Sequence, residues 1–281
     1  MDASVATLLH TAGTRLAKTS ATPHLDAECL LAHALQTRRS HLFAHPEQCV
    51  ERDTLRRFAR LVGARSQGRP VAYLTGEREF WSLSLKVNPA TLIPRPETEL
   101  LLEQTLYFVP TAARWQLLDL GTGSGAIALA LAKERPHCRI TATDISRPAL
   151  AVAGKNAAAL GIANVEFLQG EWFAPLPGRR YRVIVSNPPY VPDGDPHLDT
   201  GDLRFEPQRA LNGGPDGLAM IRKIVQQAPA HLDPGGMLML EHGNDQATRV
   251  RDLLSAAGFS GIQTFRDLAG TERASTGRFA D

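Results

Sequence analysis

The chain has 281 residues, 43% apolar and 21% charged, with a formal net charge of +2; it exceeds the usual single-domain range and reads as a globular protein of about two domains. That charge is too close to neutral to predict a polyanion partner, and no apolar run approaches the ~20 residues that a bilayer span needs. Cys29, Cys49 and Cys138 stand far apart and the nine histidines follow no ligand spacing, which argues against a disulfide framework and a metal site.

The opening Met1-Asp2-Ala3-Ser4 lacks the charged-then-apolar form of a secretory signal, so a cytoplasmic protein is expected. Val5, Leu8, Leu9, Ala12 and Leu16 recur at helical spacing and line one face. A second helix carries Leu25, Leu30, Leu31 and Leu35 after Pro23, and a third carries Leu55, Phe58, Leu61 and Val62. Together they predict a small helical bundle over residues 1–75. On the third helix Arg56, Arg57, Arg60 and Arg65 form a basic face, either a solvated surface or a docking surface for a ribosomal or RNA-shaped partner.

Residues 76–110 read as a linker. Trp81, Leu83, Leu85 and Val87 alternate as a half-buried strand does, Asn88-Pro89 turns the chain, and Leu92-Ile93 is expected to return as the partner strand. Pro96 and Glu97 suit the first turn of a helix running through Leu100, Leu101, Leu106 and Val109.

From 111 to 281 strands and helices alternate, which predicts an α/β domain with a mostly parallel sheet covered on both faces. Strands are expected at 115–119, 139–143, 165–168, 181–186, 237–241, 262–266 and 273–279, with helices at 126–133, 148–160, 218–228 and 247–257.

Asp119-Leu120-Gly121-Thr122-Gly123-Ser124-Gly125 follows the first of these strands and opens a helix. Glycines there let the backbone approach a ligand, and the helix N-terminus offers unpaired N–H groups. Asp144 ends the next strand about twenty residues on, where a carboxylate accepts the hydroxyls of a ribose. Gly121-x-Gly123-x-x-Ala126 also fits the dinucleotide fingerprint, so an NAD-dependent oxidoreductase competes on this motif alone. Asp119 tips the balance, because its carboxylate suits the ammonium of an amino-acid-like ligand and repels a pyrophosphate. Trp172, shortly after the third strand, is either a core aromatic or a platform for adenine.

Asn187-Pro188-Pro189-Tyr190 closes the fourth strand. An amide or exocyclic amine attacks an electrophile poorly until hydrogen-bond acceptors fix its N–H groups. The Asn187 side-chain oxygen and the Pro188 carbonyl are suitable acceptors. The two prolines lock the turn, and Tyr190 covers the flat face of the substrate. The alternative is a plain stop signal after a strand. Taken with the glycine loop and Asp144, the strand-end positions match S-adenosylmethionine better than NAD.

These residues resemble class I S-adenosylmethionine-dependent methyltransferases of the amino-group type, with their Rossmann-like fold. Tyr73 to Glu77, Phe80-Trp81, Leu92 to Glu99, Glu206-Pro207, Ala210-Leu211, Gly213-Gly214, Asp216 to Leu218 and Gly270 to Arg278 further resemble the HemK/PrmC family. That family methylates the amide nitrogen of glutamine in peptide chain release factors. The resemblance implies that Gly121, Thr122, Gly123, Ser124, Gly125, Asp144, Trp172 and Asn187 line S-adenosylmethionine, with Asp119 beside them. It also implies that Asn187, Pro188, Pro189 and Tyr190 hold the glutamine, Asn187, Pro188 and Tyr190 acting in catalysis. It further implies that the loop of Arg95 and Glu97 closes over the cofactor, and that the N-terminal helices recognise a class I release factor; separately, a monomer is expected.

Between Pro192 and Gly217, Asp193, Asp195, Asp199, Asp202, Glu206 and Asp216 outnumber Arg204 and Arg209. Such a loop disfavours a phosphate backbone, and with it a DNA amino-methyltransferase, whose turn is similar. The related methyltransferase of a ribosomal-protein glutamine stays open, because the Asn187 turn serves both substrates alike.

Overall fold

The computed structural model describes residues 3–280, the His197 side chain excepted; Met1, Asp2 and Asp281 lie outside the described residues. Two compact units result, one running to Glu77 and including Asp199–Phe205, the other holding Arg78–Leu198 and the chain from Glu206.

In the first unit, α1 (Val5–Leu16), α2 (Pro23–Leu35), α3 (Arg39–Ala44), α4 (Arg52–Arg65) and α5 (Val71–Thr75) enclose a core that includes Val5, Leu16, Leu30, Leu31, Phe58 and Val62. The short β1 (Ala3–Ser4) and β2 (Cys49–Val50) pair antiparallel beside them. Ser4 caps α1 by accepting from Thr7 N. Arg56, Arg57 and Arg60 are exposed, but Arg65 is not part of their face. It is 7% exposed, and its Nε donates to Asp26 Oδ2 at 2.6 Å while Nη1 donates to Asp202 Oδ1 at 2.7 Å. A charge at this depth requires such partners, so Arg65 is a structural residue of the bundle.

The hairpin is built differently from its sequence expectation. β3 (Glu77–Phe80) pairs with β4 (Leu83–Lys86), so the turn falls at Trp81-Ser82 and Leu92-Ile93 is not a strand. Both turn residues have positive φ, 50° and 56°, as a two-residue hairpin turn demands, although neither is glycine. Tertiary contacts hold them there: Trp81 N donates to Glu99 Oε1 at 2.8 Å and Trp81 Nε1 to Glu134 Oε1 at 3.1 Å. α6 (Thr98–Phe108) follows, starting one residue after Glu97 rather than including it.

The sheet has seven strands: β5 (Gln116–Leu120), β6 (Arg139–Asp144), β7 (Val165–Gln169), β8 (Tyr181–Ser186), β9 (Leu232–Glu241), β10 (Phe259–Arg266) and β11 (Glu272–Phe279). Their spatial order is β10-β11-β9-β8-β5-β6-β7. β5 to β9 run parallel, and β11 enters antiparallel between β9 and β10. α7 (Ala126–Glu134), α8 (Arg147–Leu160), α9 (Ala219–Gln227) and α10 (Ala247–Ala256) lie on crossovers, while β7 and β8 are joined by residues 170–180 without a helix. The strand period of two splits the core: Leu117, Val183, Val185 and Met239 pack on one face with α7, while Leu118, Leu120, Ile184, Leu238 and Leu240 pack on the other with α9 and α10. Strand order reverses around β5, and at such a switch point the carboxyl ends of the strands leave a crevice.

Candidate active site

That crevice is a cavity of about 1050 Å³ whose wall includes Gly121, Gly123, Asp144, Trp172, Asn187 and Pro189. The two sequence motifs, on different strand ends, thus share one cavity because β5 and β8 are paired neighbours. Ser186 reinforces the junction, its hydroxyl donating to the Leu120 carbonyl at 2.8 Å.

Asp119 lies beneath the glycine loop, 1% exposed, and is not on the cavity wall. Its Oδ2 accepts from Thr122 Oγ1 at 2.6 Å and from Ala128 N, in the first turn of α7, at 3.2 Å. Oδ1 is buried without a hydrogen-bond partner among the described residues. Burial pushes this carboxyl up to about 7, against the pull of Thr122 and Ala128 and with Asp144 adding to the rise. An orphaned carboxylate oxygen beneath a glycine loop fits a cationic ligand group, since an unpaired buried acceptor costs ~1–3 kcal/mol. Thr122 and Ser124 are buried, and their contacts are internal: Thr122 holds Asp119, and the Ser124 carbonyl accepts from Asn156 Nδ2 at 2.9 Å. Gly125 is the residue before α7, in the left-handed region. None of these three, nor Pro188 or Tyr190, is on the cavity wall.

Asp144 accepts from Gly123 N through Oδ2 and from Ser146 N through Oδ1, both at 2.8 Å. Each carboxylate oxygen keeps a second acceptor position for a ligand hydroxyl. Burial raises its pKa, opposed by those two N–H groups and by Arg209, which sequence reasoning did not place on the cavity wall. Trp172 sits at φ 49°, costly for a bulky residue, and its carbonyl accepts from Thr143 Oγ1 at 3.1 Å. The ring edge lies over Gly121, where an added Cβ would stand 3.3 Å from Trp172 Cζ3. Trp172 Nε1 is buried without a partner among the described residues.

Asn187 donates from Nδ2 to Thr98 Oγ1 at 3.0 Å, which assigns its side-chain oxygen the acceptor role. Tyr190 donates from its hydroxyl to Glu241 Oε1 at 3.2 Å, and burial beside that carboxylate raises the phenol pKa. The Tyr190 carbonyl accepts from Gln246 Nε2 at 2.9 Å, while Gln246 Oε1 accepts from Gly243 N at 2.8 Å. Gly217 is pressed against the same carbonyl: a Cβ there would meet Tyr190 O at 2.5 Å. The turn is therefore clamped from several sides. Thr98, Glu241 and Gln246 were not picked out as site residues in the sequence; the only signals were Thr98 within the Leu92–Glu99 motif and Gly217 within Asp216–Leu218.

Three of the six carboxylates of the acidic loop are paired by residues outside it. Glu206 is 3% exposed; its Oε2 accepts from Ile93 N at 3.0 Å and its Oε1 from Arg95 Nη2. Asp216 accepts from Arg222 and Arg249, and Asp202 from Arg65. Arg95 thus anchors the two loops to each other, and the excess of carboxylates in the sequence is no measure of charge offered to a partner.

Comparison with known proteins agrees with this architecture. Residues 96–205 match the methyltransferase small domain family and residues 7–76 the PrmC N-terminal domain family. A solved methyltransferase from Pyrococcus furiosus superposes with TM-score 0.55 at 21% identity, covering 71% of this chain and 90% of that one. The T. thermophilus 16S rRNA N2 G1207 methyltransferase, solved with AdoMet and guanosine, superposes with TM-score 0.54 at 20% identity, covering 72% of this chain and 49% of that one. The fold is that of the class I methyltransferases. Proteins named release factor glutamine methyltransferase are similar along nearly the whole chain. The Pseudomonas aeruginosa protein is 52% identical over 261 residues, 93% of this chain and 94% of its own. The Xylella fastidiosa (strain Temecula1) protein is 50% identical over 262 residues, 93% and 95%, and that of Salmonella typhimurium 48% over 271 residues, 96% and 97%. The chain belongs to the release factor glutamine methyltransferase family.

Proposed function

We propose that this protein transfers a methyl group from S-adenosylmethionine to the side-chain amide nitrogen of the glutamine in the Gly-Gly-Gln motif of class I peptide chain release factors. The observation that carries the reading is that Asn187 opens onto the same cavity as Gly121, Gly123 and Asp144, so a carrier and a planar-nitrogen acceptor fit side by side. The named relatives supply the substrate.

S-adenosylmethionine supplies a methyl group already activated by its sulfonium. Asp119 Oδ1 would take the ammonium of its amino-acid portion, Asp144 the ribose hydroxyls, and Trp172 one face of the adenine. Asn187 Oδ1 and the Pro188 carbonyl accept the two N–H groups of the glutamine amide. That contact directs its nitrogen at the methyl and offsets positive charge as it develops there. Tyr190 and Pro189 pack against the amide plane. Holding the reactants in line supplies ~7–11 kcal/mol of the barrier reduction. The proton is released after transfer, when the alkylated amide has become strongly acidic, so the turn needs no general base beforehand.

Residues 1–75 form the recognition part, 76–110 the linker and 111–281 the transferring domain. The enzyme acts in the cytoplasm as a monomer without a stable nucleic-acid partner; among the described residues no helix is long and apolar enough to cross a membrane.

The test is transfer of labelled methyl to purified release factor, beside a substrate with the Gly-Gly-Gln glutamine changed to alanine and with ribosomal protein and DNA as comparison acceptors. Label that enters release factor and vanishes with the glutamine is expected. Label confined to ribosomal protein or DNA overturns the substrate assignment.

A further inference from the structure

Glu241 is 1% exposed at the carboxyl end of β9, and the mechanism above gives it no task. Burying a carboxylate without one is costly. Its neighbours identify the task. The Thr98 hydroxyl, at the start of α6, lies close enough to this carboxylate to lower its pKa, and the Tyr190 hydroxyl bonds to it directly. Glu241 Oε1 is taken by the Tyr190 hydroxyl, while Oε2 has no hydrogen-bond partner among the described residues.

A hydroxyl has one proton to give and two acceptor positions. The Thr98 oxygen already accepts from Asn187 Nδ2, so its proton is directed to another acceptor, and the carboxylate beside it has an oxygen to spare. With that proton turned to the spare Glu241 oxygen, polarity is fixed along the line: Glu241 takes the Thr98 proton, Thr98 accepts from the Asn187 NH2, and the Asn187 oxygen is left facing the cavity. An asparagine free to rotate by half a turn would offer the substrate amide two donors instead of an acceptor, and two N–H groups would then oppose one another.

We propose that Glu241, acting through Thr98, is the positioning residue that locks Asn187 in its acceptor orientation and, through the Tyr190 hydroxyl, seats the aromatic ring of the same turn. Neither Glu241 nor Thr98 touches the reacting atoms. The inference rests on the proposed amide-methylating role of Asn187.

The relay is pH-sensitive. Burial raises the Glu241 carboxyl to about 7, opposed by Thr98, Tyr190 and the Arg273 guanidinium on β11 and reinforced by Glu97 ahead of α6. The adjacent His242 is engaged elsewhere, its Nε2 at 2.9 Å from Ser275 Oγ, and burial lowers its pKa. A protonated Glu241 donates a hydrogen bond instead of accepting one. Thr98 then takes that proton, its own hydroxyl proton turns toward Asn187, and the amide is free to flip.

The experiment compares native protein with T98V, T98S and E241Q, measuring kcat at saturating release factor and cofactor, dissociation constants for S-adenosylmethionine, and the side-chain 15N–H resonances of Asn187 across pH 5.5–8.5. T98V removes the hydroxyl at nearly constant volume and is expected to lower kcat at least tenfold with cofactor affinity within twofold. T98S restores the hydroxyl and is expected to return kcat to within threefold of native. In native protein the Asn187 resonances should titrate with a midpoint near 7 alongside an acid limb in kcat; in E241Q both should be flat. A T98V kcat within twofold of native, equal losses in T98V and T98S, or an Asn187 resonance that ignores pH would each overturn the relay. Native protein that transfers no methyl to release factor would instead overturn the functional reading, and the resonance titration would still decide the orientation of Asn187.

Discussion

Asp119→Asn separates the cost of a buried charge from its use. The carboxyl sits at about 7 rather than its ordinary 3.8, chiefly because it is buried. A carboxyl raised in the folded state destabilises it as pH climbs: the cost is absent below about 4, grows between 4 and 7, and is complete above 7. The full difference corresponds to ~4 kcal/mol. Asparagine keeps an oxygen for Thr122 and Ala128 and removes the charge, but it puts an NH2 where Oδ1 has no partner, which costs ~1–3 kcal/mol. Cofactor-free D119N protein at pH 8 should therefore be more stable than native by ~1–3 kcal/mol. For a domain near 200 residues that raises Tm by ~2–10 °C, and the advantage should vanish by pH 5. Affinity for S-adenosylmethionine should fall, because a charge-assisted hydrogen bond is worth ~1.5–3 kcal/mol, or ~10–150-fold. Thermal unfolding at pH 5 and 8 together with calorimetric titration reads both. A variant less stable than native at pH 8 would refute the buried-charge cost, and one that binds cofactor within threefold of native would refute the assignment of Oδ1 to the ammonium.

Asn187→Ala should abolish turnover while leaving cofactor affinity within about tenfold; near-normal turnover in a methyl-transfer assay sinks the proposed mechanism. Native affinity for S-adenosylmethionine should rise with pH and level off above about 7 as Asp119 ionises, which titration calorimetry from pH 6 to 8.5 would detect. Gly121→Ala places a Cβ 3.3 Å from the Trp172 ring at a φ of 73°, so cofactor affinity should drop at least tenfold, with tryptophan fluorescence reporting the displaced ring. Asp26→Ala leaves Arg65 short of a partner where both side chains are 9% exposed, and should destabilise the helical unit by ~3–5 kcal/mol in denaturant unfolding; a loss below 1 kcal/mol would mean that Asp202 suffices.

The elements of the sheet were legible because their signals are local. Tyr181 to Ser186 reads as a strand from its own composition, and Asp119 to Gly125 reads as a strand-to-helix loop from its glycines. Given alternating strands and helices, the parallel sheet followed, and with it the placing of the two motifs at strand ends. What tertiary structure alone decided lies between residues far apart in the chain. The turn at Trp81-Ser82 has no glycine to announce it, since its positive φ angles are held by Glu99 and Glu134. Arg65 reads as one more basic residue of an exposed helix until Asp26 and Asp202 enclose it. Asn187 is 89 residues from Thr98, and Tyr190 is 51 from Glu241. No periodicity relates such positions; they meet because strand order sets β8 beside β9 and α6 packs against both, and a hydrogen bond between them depends on geometry that only the packed domain supplies.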